Sequence, residues 1–315
     1  MGRADLEGWV KRAFQQKVAK YWAAPASLEE KRMIAWMEHS YVNRHINRRT
    51  TGDASLDWLK YVSQKYFPEP VEKALTLGCG EGGLERAGLA LRVARFFDAM
   101  DISDGAVESA SAATGEMGFG NKTKYIVRDL NQLHLEPESY DAIFASMSLH
   151  HVQALENLFI QCRGALRSGG KLIVNEYVGP TRFQLSEERL RIINGLIQTL
   201  PRHLRRIIRN GKVTGEVKER HSNPPLTWFE ENDPSESVRS ADILTVMGEH
   251  FDVVELRWYG GGLLQFTLEN IVGNFREPAD LIWLDMLFQV ESFLEQQQVI
   301  SSDFALIIAV PRIRV

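Results

Sequence analysis

Cysteine is almost missing from this chain of 315 residues, with Cys79 and Cys162 the two present. A disulfide framework and an all-cysteine zinc site are therefore excluded. Long apolar runs are lacking as well. No stretch approaches the ~20 residues that span a bilayer, and Met1 to Val10 holds no apolar run suited to a signal peptide. Charge of one sign does not dominate either, since 37 Lys and Arg face 41 Asp and Glu, for a net charge of −4. That argues against a globally basic nucleic-acid binder and leaves room for a local basic patch. No solenoid repeat or low-complexity tract is found. What is present is ordinary globular composition, 44% hydrophobic and 25% charged, enough for one large domain or two small ones. The expectation is a cytoplasmic protein without a membrane span.

The chain changes texture near residue 70. Before it, apolar residues fall at helical spacing from Leu6 to Trp22, and Ser27 with Glu30 forms a capping-box start for a helix carrying Met33 to Tyr41. A third helix runs over Leu56–Tyr66 and is stopped by Pro68 and Pro70. Residues 1–70 thus read as a helical N-terminal cap. From Val71, short apolar runs alternate with helical patterns. Strands are predicted at Lys73–Leu77, Phe96–Met100, Lys124–Val127, Asp141–Ala145, Lys171–Glu176, Phe251–Tyr259 and Phe304–Val310. Helices are predicted at Leu84–Arg95, Asp104–Gly115, Gln153–Leu166, Glu236–His250 and within Leu263–Gln298. This alternation points to an α/β, doubly wound, Rossmann-like sheet over 71–180 and 236–315. Residues 181–235 interrupt it as an insertion, with an amphipathic helical stripe from Leu190 to Ile208 jointed at Pro201.

The first strand ends in Leu77-Gly-Cys-Gly-Glu-Gly-Gly83, and a helix follows. Glycines there permit a tight turn and let a ligand approach backbone N–H groups at a helix start. Asp101 ends the next strand, where a carboxylate can accept both ribose hydroxyls of an adenosine group. Gly78, Gly80 and Gly83 also satisfy the G-x-G-x-x-G pattern of dinucleotide dehydrogenases. Against that reading, Asp129-Leu130 offers a polar and an apolar contact suited to an adenine. The chain also lacks a second mononucleotide half.

Five segments in order carry a resemblance: Leu77-Gly-Cys-Gly-Glu-Gly-Gly, Met100-Asp-Ile-Ser, Arg128-Asp-Leu, Tyr140-Asp-Ala-Ile-Phe-Ala-Ser-Met-Ser-Leu-His-His-Val and Leu166-Arg-Ser-Gly-Gly-Lys-Leu. Together they resemble the successive motifs of class I S-adenosylmethionine-dependent methyltransferases, of the small-molecule kind, over roughly 70–178 and more loosely 236–310. The resemblance implies a seven-stranded sheet whose last strand is antiparallel, and S-adenosylmethionine as cofactor. It implies that the turn of Gly78, Cys79, Gly80 and Gly83 holds the methionine moiety and Asp101 the ribose. Ile102 and Ser146 would lie alongside, with Asp129 and Leu130 at the adenine. It also implies an N-terminal helix over the cofactor, bringing Tyr41 and Arg48 to it and His45 near. Thr76 stands where the family usually has an acidic residue, which puts one contact to the cofactor's amino group in question.

Methyl transfer from a sulfonium is an in-line displacement, and much of its catalysis comes from positioning. A base is needed only where the acceptor must lose a proton early. His150 and His151 after the fourth strand are the candidate bases. Glu176, after the fifth, is a candidate base or orienting carboxylate. Adjacent histidines point in different directions, so one of the two is expected to face the acceptor. Metal-dependent relatives place Asp where this chain has Ala145-Ser146-Met147. No other His, Asp or Glu cluster has metal-ligand spacing, so no metal is expected. Cys79 reads as a small packing residue rather than a nucleophile. Asn223-Pro-Pro-Leu226 is a turn, since it lies outside the fourth strand's end and lacks the closing aromatic residue of the amino-group methyltransferase motif.

Residues 181–220 hold ten Arg and Lys against four Glu, a local excess of six positive charges in a chain whose total is −4. Three uses compete for this basic helical lid. It packs its apolar stripe on the core or on a second subunit, it attracts an anionic or lipid-like small acceptor, or it docks RNA or a membrane surface. Poor aromatic interleaving counts against nucleic acid. The expected function is methyl transfer to a small or medium-sized acceptor, with oxygen or nitrogen favoured. The alternative is an RNA or protein methyltransferase that docks through the insertion. A non-catalytic binding module stands further back. Trp283, Leu287 and Phe288 are read as lining either a pocket or a homodimer interface.

Overall fold

The computed structural model describes residues 35–313. The predicted helix over Leu6–Trp22 and the capping box at Ser27 lie outside them. Within them, a short 3-10 turn at Trp36–Glu38 precedes α1 (Ser40–Thr51) and α2 (Trp58–Tyr66). Asp57 caps α2 by accepting from the Lys60 N–H, and Gly52 ends α1 in the left-handed region that a side chain would resist.

The alternation that follows is β1 (Val71–Leu77), α3 (Gly83–Ala90), β2 (Ala94–Asp101), α4 (Asp104–Glu116), β3 (Thr123–Val127), β4 (Tyr140–Ser146), α5 (Leu155–Ala165) and β5 (Leu166–Tyr177). Past the insertion come α8 (Ile243–His250), β8 (Phe251–Gly260), α9 (Leu264–Leu268), α10 (Pro278–Gln296) and β9 (Phe304–Pro311). Among the described residues, seven strands form one sheet in the order β3-β2-β1-β4-β5-β9-β8. The first five pair in parallel, while β9 runs antiparallel between β5 and β8. The expected α/β sheet with its last strand reversed is what forms. No helix among the described residues is long and apolar enough to cross a membrane.

Strand alternation sorts the core onto two faces. Ala142, Phe144, Ile173, Leu306 and Ile308 pack with Leu59 and Val62 of α2 and Leu89 of α3 on one face. Ile143, Ala145, Val174 and Ile307 pack with Leu158 and Phe159 of α5 and Met247 of α8 on the other. Both faces are covered, so the strands read as continuous apolar runs. The parallel order sends every β1, β2 and β4 loop to the same edge, where ligands bind in open sheets of this kind.

Three expectations need correction. The insertion is only half helical. Its first part is α6 (Glu187–Thr199), capped by Ser186, and α7 (Leu226–Glu231) lies near its end. Arg206–Arg209 and Lys212–Val217 instead form a two-stranded hairpin, β6 and β7. Its turn is Asn210-Gly211, with φ of 49° and 68°, the left-handed pair that favours a tight hairpin. The helix predicted over Glu236–His250 starts only at Ile243, because residues 233–238 close over the histidine segment, with Val238 N–H donating to the His150 carbonyl at 3.0 Å. The helical run from Leu263 is broken into α9 and α10, with Glu277, Pro278 and Asp280 supplying a fresh capping box for α10.

Leu287 and Phe288 of α10 are buried against Val42 and Ile46 of α1, with Trp283 packed beside them, and Phe288 also lines a surface cleft. The insertion's stripe is spent similarly, with Ile193 and Ile197 buried against Leu263 and Phe266.

Candidate active site

The Gly-rich turn owes its shape to Gly78 and Asp101. Gly78 has φ of 69°, and a Cβ there would collide with the Ser148 side chain. Its lack of a side chain lets the β1 and β4 loops touch, sealed by the Ser148 hydroxyl donating to the Leu77 carbonyl at 2.7 Å. The N–H groups of Gly78 and Cys79 donate to the Met100 carbonyl at 2.8 and 2.9 Å. Asp101 holds the rim by accepting from the N–H groups of Gly80 at 2.8 Å and Ser103 at 2.9 Å. One carboxylate thus ties the β1 turn to the start of α4.

A cavity opens at this edge. Gly78, Gly80, Asp101, Ile102, Asp129 and Leu130 line it, all anticipated from the sequence, along with Asn131, Met147, Ser148 and His151. The Asp129 carboxylate caps its own turn through the Asn131 N–H at 2.8 Å, which holds Leu130 at the cavity wall. The donor set suits an adenosine with an amino-acid tail. Asp101 offers a carboxylate acceptor, Leu130 and Ile102 an apolar wall, and the glycines a side-chain-free turn at a helix start.

Other anticipated cofactor residues lie elsewhere. Cys79 is buried within the turn, and burial pushes its thiol up, which suits packing. Gly83 begins α3 behind the cavity. Ser146 gives way to Ser148 at the wall, its hydroxyl accepting from Asn175 at 3.4 Å. Tyr41 and Arg48 do not reach this cavity. They line a separate cleft with Arg44, His45, Asp285 and Phe288, where the Tyr41 hydroxyl donates to Asp285 at 2.9 Å. The reason is that α1 turns its apolar side, Val42 and Ile46, toward α10 rather than over the strand ends.

The residue that sequence reasoning missed on this side is Glu85. It is fully buried in α3, and neither oxygen has a hydrogen bond of normal geometry among the described residues. Burial pushes its carboxyl up to about 7, with the nearby Thr76 hydroxyl offsetting only part of this. The signal was Thr76 itself, a hydroxyl where a carboxylate was expected.

Beside the first cavity lies a second of about 460 Å³, a size typical of small-molecule sites. Met147 and His151 line both. Its walls are largely aromatic, with Trp36, Tyr177, Phe183, Phe266 and Phe304, and its polar groups include His150, Glu236 and Glu269. Among the described residues, its lining holds no Arg or Lys. Five of the insertion's ten basic side chains have partners, while Arg191, Arg202, Arg206, Lys212 and Arg220 are exposed. Arg189 pairs with Asp303 beneath α9, Arg205 with Glu219 and Arg209 with Glu216, and Lys218 donates to the Phe266 and Glu269 carbonyls. Arg182 donates to the carbonyls of Glu236 and Pro234, which fixes the closing segment in place.

The histidine pair sits where the two cavities meet. Glu176 is buried and accepts four hydrogen bonds, from Ser148 N–H, Leu149 N–H, Tyr177 N–H and His150 Nδ1, at 2.5 to 2.7 Å. It therefore orients the β4 loop and His150, and its lone pairs are taken. Burial lowers the His150 pKa, but the Glu176, Glu236 and Asp233 carboxylates outweigh that and raise it to about 9. His151 is the opposite case, since burial, followed by the charge on His150, holds its pKa well below the usual range. The Ser235 hydroxyl donates to Asp233 at 2.6 Å, so its oxygen accepts from His151 Nδ1 at 3.0 Å. That fixes the Nδ1–H tautomer and leaves the lone pair on Nε2. Glu236, distant in sequence, brings its Oε1 to 3.7 Å from His150 Nε2, and burial pushes its carboxyl up. Sequence spacing could not reveal this three-residue group, because residues 233–238 reach it only by folding over the β4 loop.

The model of a methyltransferase domain family matches residues 75–174. The chain is 30% identical over 166 residues to a sterol 24-C-methyltransferase of Candida albicans, covering 51% of this chain and 43% of that protein. It is 27% identical over 147 residues to the sterol 24-C-methyltransferase of Yarrowia lipolytica, covering 45% of this chain and 37% of that one. It thus spans less than half the length of these curated relatives. Among solved structures, geranyl diphosphate C-methyltransferase from Streptomyces coelicolor A3(2), in complex with Mg2+, geranyl-S-thiolodiphosphate and S-adenosyl-L-homocysteine, gives a TM-score of 0.54 at 13% identity. The match covers 95% of this chain and 98% of that one, and it is a likeness of fold.

Proposed function

We propose, from the premise that this chain belongs to the class I S-adenosylmethionine-dependent methyltransferases, that it methylates a small, largely apolar molecule held in the aromatic cavity. The observation that carries this reading is the junction. Met147 and His151 line both the cavity suited to the cofactor and the cavity suited to an acceptor. When bound, S-adenosylmethionine supplies an electrophilic methyl, whose S–C bond breaks as the acceptor's lone pair forms the new bond and S-adenosylhomocysteine leaves.

The chain's own residues would do the rest. Asp101 would bind the ribose hydroxyls, Leu130 and Ile102 would flank the adenine, and Asp129 would face its edge. Tyr177, Phe183 and Phe304 would exclude water and hold the acceptor in line. His151, neutral with its lone pair on Nε2, is the candidate to receive the proton of an acceptor hydroxyl or amine. Glu176 positions His150 and the β4 loop. Among the described residues the lining holds no Arg or Lys for an anionic acceptor, which favours a neutral or cationic group there.

A second reading, transfer to carbon, draws on the aromatic lining together with a buried carboxylate, Glu236, and on the names of the sterol and geranyl diphosphate relatives. Aromatic faces stabilise a developing cation. The test is transfer of a labelled methyl group into cell extract, followed by partition and product analysis. Label in an organic-extractable small molecule is expected, and the position of the new methyl separates the two readings. Label in protease- or nuclease-sensitive material would overturn both.

A further inference from the structure

We infer that His150, His151 and Glu236 form a binding site for a divalent transition-metal cation at the acceptor end of the cavity. The inference rests on reading that cavity as the acceptor site and adds an ion to it, in which case His151 Nε2 is a ligand of the ion and not the proton acceptor.

The first argument is geometric. One donor atom from each of the three side chains lies within 4.8 Å of the others. Ligands of a cation held at about 2.1 Å lie about 3 to 3.5 Å apart. His150 Nε2 and Glu236 Oε1 are already at 3.7 Å, close to that separation. Two imidazoles and one carboxylate are the donor set that suits Zn2+, Mn2+ or Fe2+ rather than Mg2+ or Ca2+.

The second argument is the support behind each imidazole. Metal-binding histidines commonly donate their other N–H to a carboxylate or similar acceptor, which fixes tautomer and ring orientation. Both histidines here have that support. His150 Nδ1 donates to Glu176 at 2.5 Å, and His151 Nδ1 donates to the Ser235 oxygen at 3.0 Å, itself fixed by Asp233. In a neutral ring, each then presents its lone pair on Nε2.

Charge supplies the third. Glu176, Asp233 and Glu236 face this pair, and Arg182 is the cation acting on it from the insertion. Three carboxylates against one guanidinium leave two negative charges when both imidazoles are neutral. A divalent cation balances both.

The test uses the full chain, freed of metal by a chelator and dialysed, with Zn2+ and Mn2+ as probes. Calorimetry measures metal binding, Mn2+ paramagnetic resonance reports the ligand field, and S-adenosylhomocysteine affinity is measured on the same samples. One cation per chain is expected, with proton release detected by repeating the titration in two buffers. Glu236→Gln and His151→Ala should weaken metal binding by about 100-fold or more, and Asp233→Asn by about 10- to 100-fold, with S-adenosylhomocysteine affinity unchanged for Glu236→Gln, whose side chain lines only the acceptor cavity. No saturable metal binding by chain that still binds S-adenosylhomocysteine would overturn the site while leaving the methyltransferase reading intact. Equal metal affinity in wild type and variants would overturn it too. Metal binding without S-adenosylhomocysteine binding would support the site and count against the cofactor reading.

Discussion

The two cavities are built in different ways. The cofactor side is assembled mainly from consecutive loops after β1, β2, β3 and β4, each contributing two to four neighbouring residues such as Gly78 with Gly80 and Asp129 with Leu130, and Ser235 alone joins it from the closing segment. The acceptor side draws on Trp36, His150, Tyr177, Glu236, Phe266 and Phe304, which come from six separate parts of the chain. A site made of local turns can be read from spacing. A site made by a segment folding over another cannot, because nothing in residues 233–238 announces where they will land. On the proposed reading the difference also divides labour: local, glycine-dependent geometry would hold a ligand common to many enzymes, and non-local packing would shape what is particular to this one.

Several substitutions can break this comparison. Removing the Glu176 carboxylate has the largest expected effect. Glu176→Ala leaves three buried N–H groups and a buried imidazole without their acceptor, which costs about 3 to 5 kcal/mol, and thermal unfolding measures it. Phe144→Ala empties a fully buried site in the sheet core and costs a comparable 3 to 5 kcal/mol, roughly. It should lower stability without favouring either cavity. Asp101→Ala should weaken S-adenosylhomocysteine by about 100-fold, since charged hydrogen bonds contribute about 1.5 to 3 kcal/mol each. His151→Ala should lower kcat by about 100-fold or more while leaving cofactor affinity within about twofold, and a joint loss would merge the two sides.

The pH dependence of stability separates the histidines. The His150 pKa is raised to about 9. Its contribution is therefore complete below its unfolded value of about 6.5 and is lost as pH rises toward 9. The depressed pKa of His151 acts in the opposite sense, with stability present above about 6.5 and lost as pH falls below it. Urea unfolding from pH 5 to 9, with chelator present, should show both limbs, and His150→Gln should remove the alkaline one. The smallest effect belongs to Arg209→Ala. Its ion pair with Glu216 is more than half exposed on both sides, so stability should move by less than about 0.5 kcal/mol and turnover not at all. A large loss of turnover would return the basic insertion to the acceptor.

Most of the sheet was legible because its strands are buried on both faces and bounded by glycine and helix starts. The Asn210-Gly211 hairpin was legible in principle, but the apolar spacing of Ile207 and Ile208 continues a helical stripe, and the turn residues outweigh that stripe in the fold. Breaks inside the predicted helix from Leu263 come from tertiary packing. Gly260, Gly261 and the buried Glu291 pin the start of α9, with Glu291 accepting from the Leu263 N–H at 2.8 Å. On the site, Gly78, Asp101 and Leu130 follow from spacing. Tyr41 and Arg48 were misplaced because an amphipathic helix does not state which partner its apolar side will find. Glu236 and Glu85 were silent because burial, which gives each its altered carboxyl, is a property of the fold.

The most direct measurement compares S-adenosylhomocysteine affinity in wild type, Asp101→Ala and Trp36→Ala by calorimetry. The account predicts tight binding by wild type, a loss of about 100-fold for Asp101→Ala, and little change for Trp36→Ala, which lines only the acceptor cavity. Equal affinity in wild type and Asp101→Ala, or a comparable loss from Trp36→Ala, would contradict the division of the site into two cavities with separate ligands.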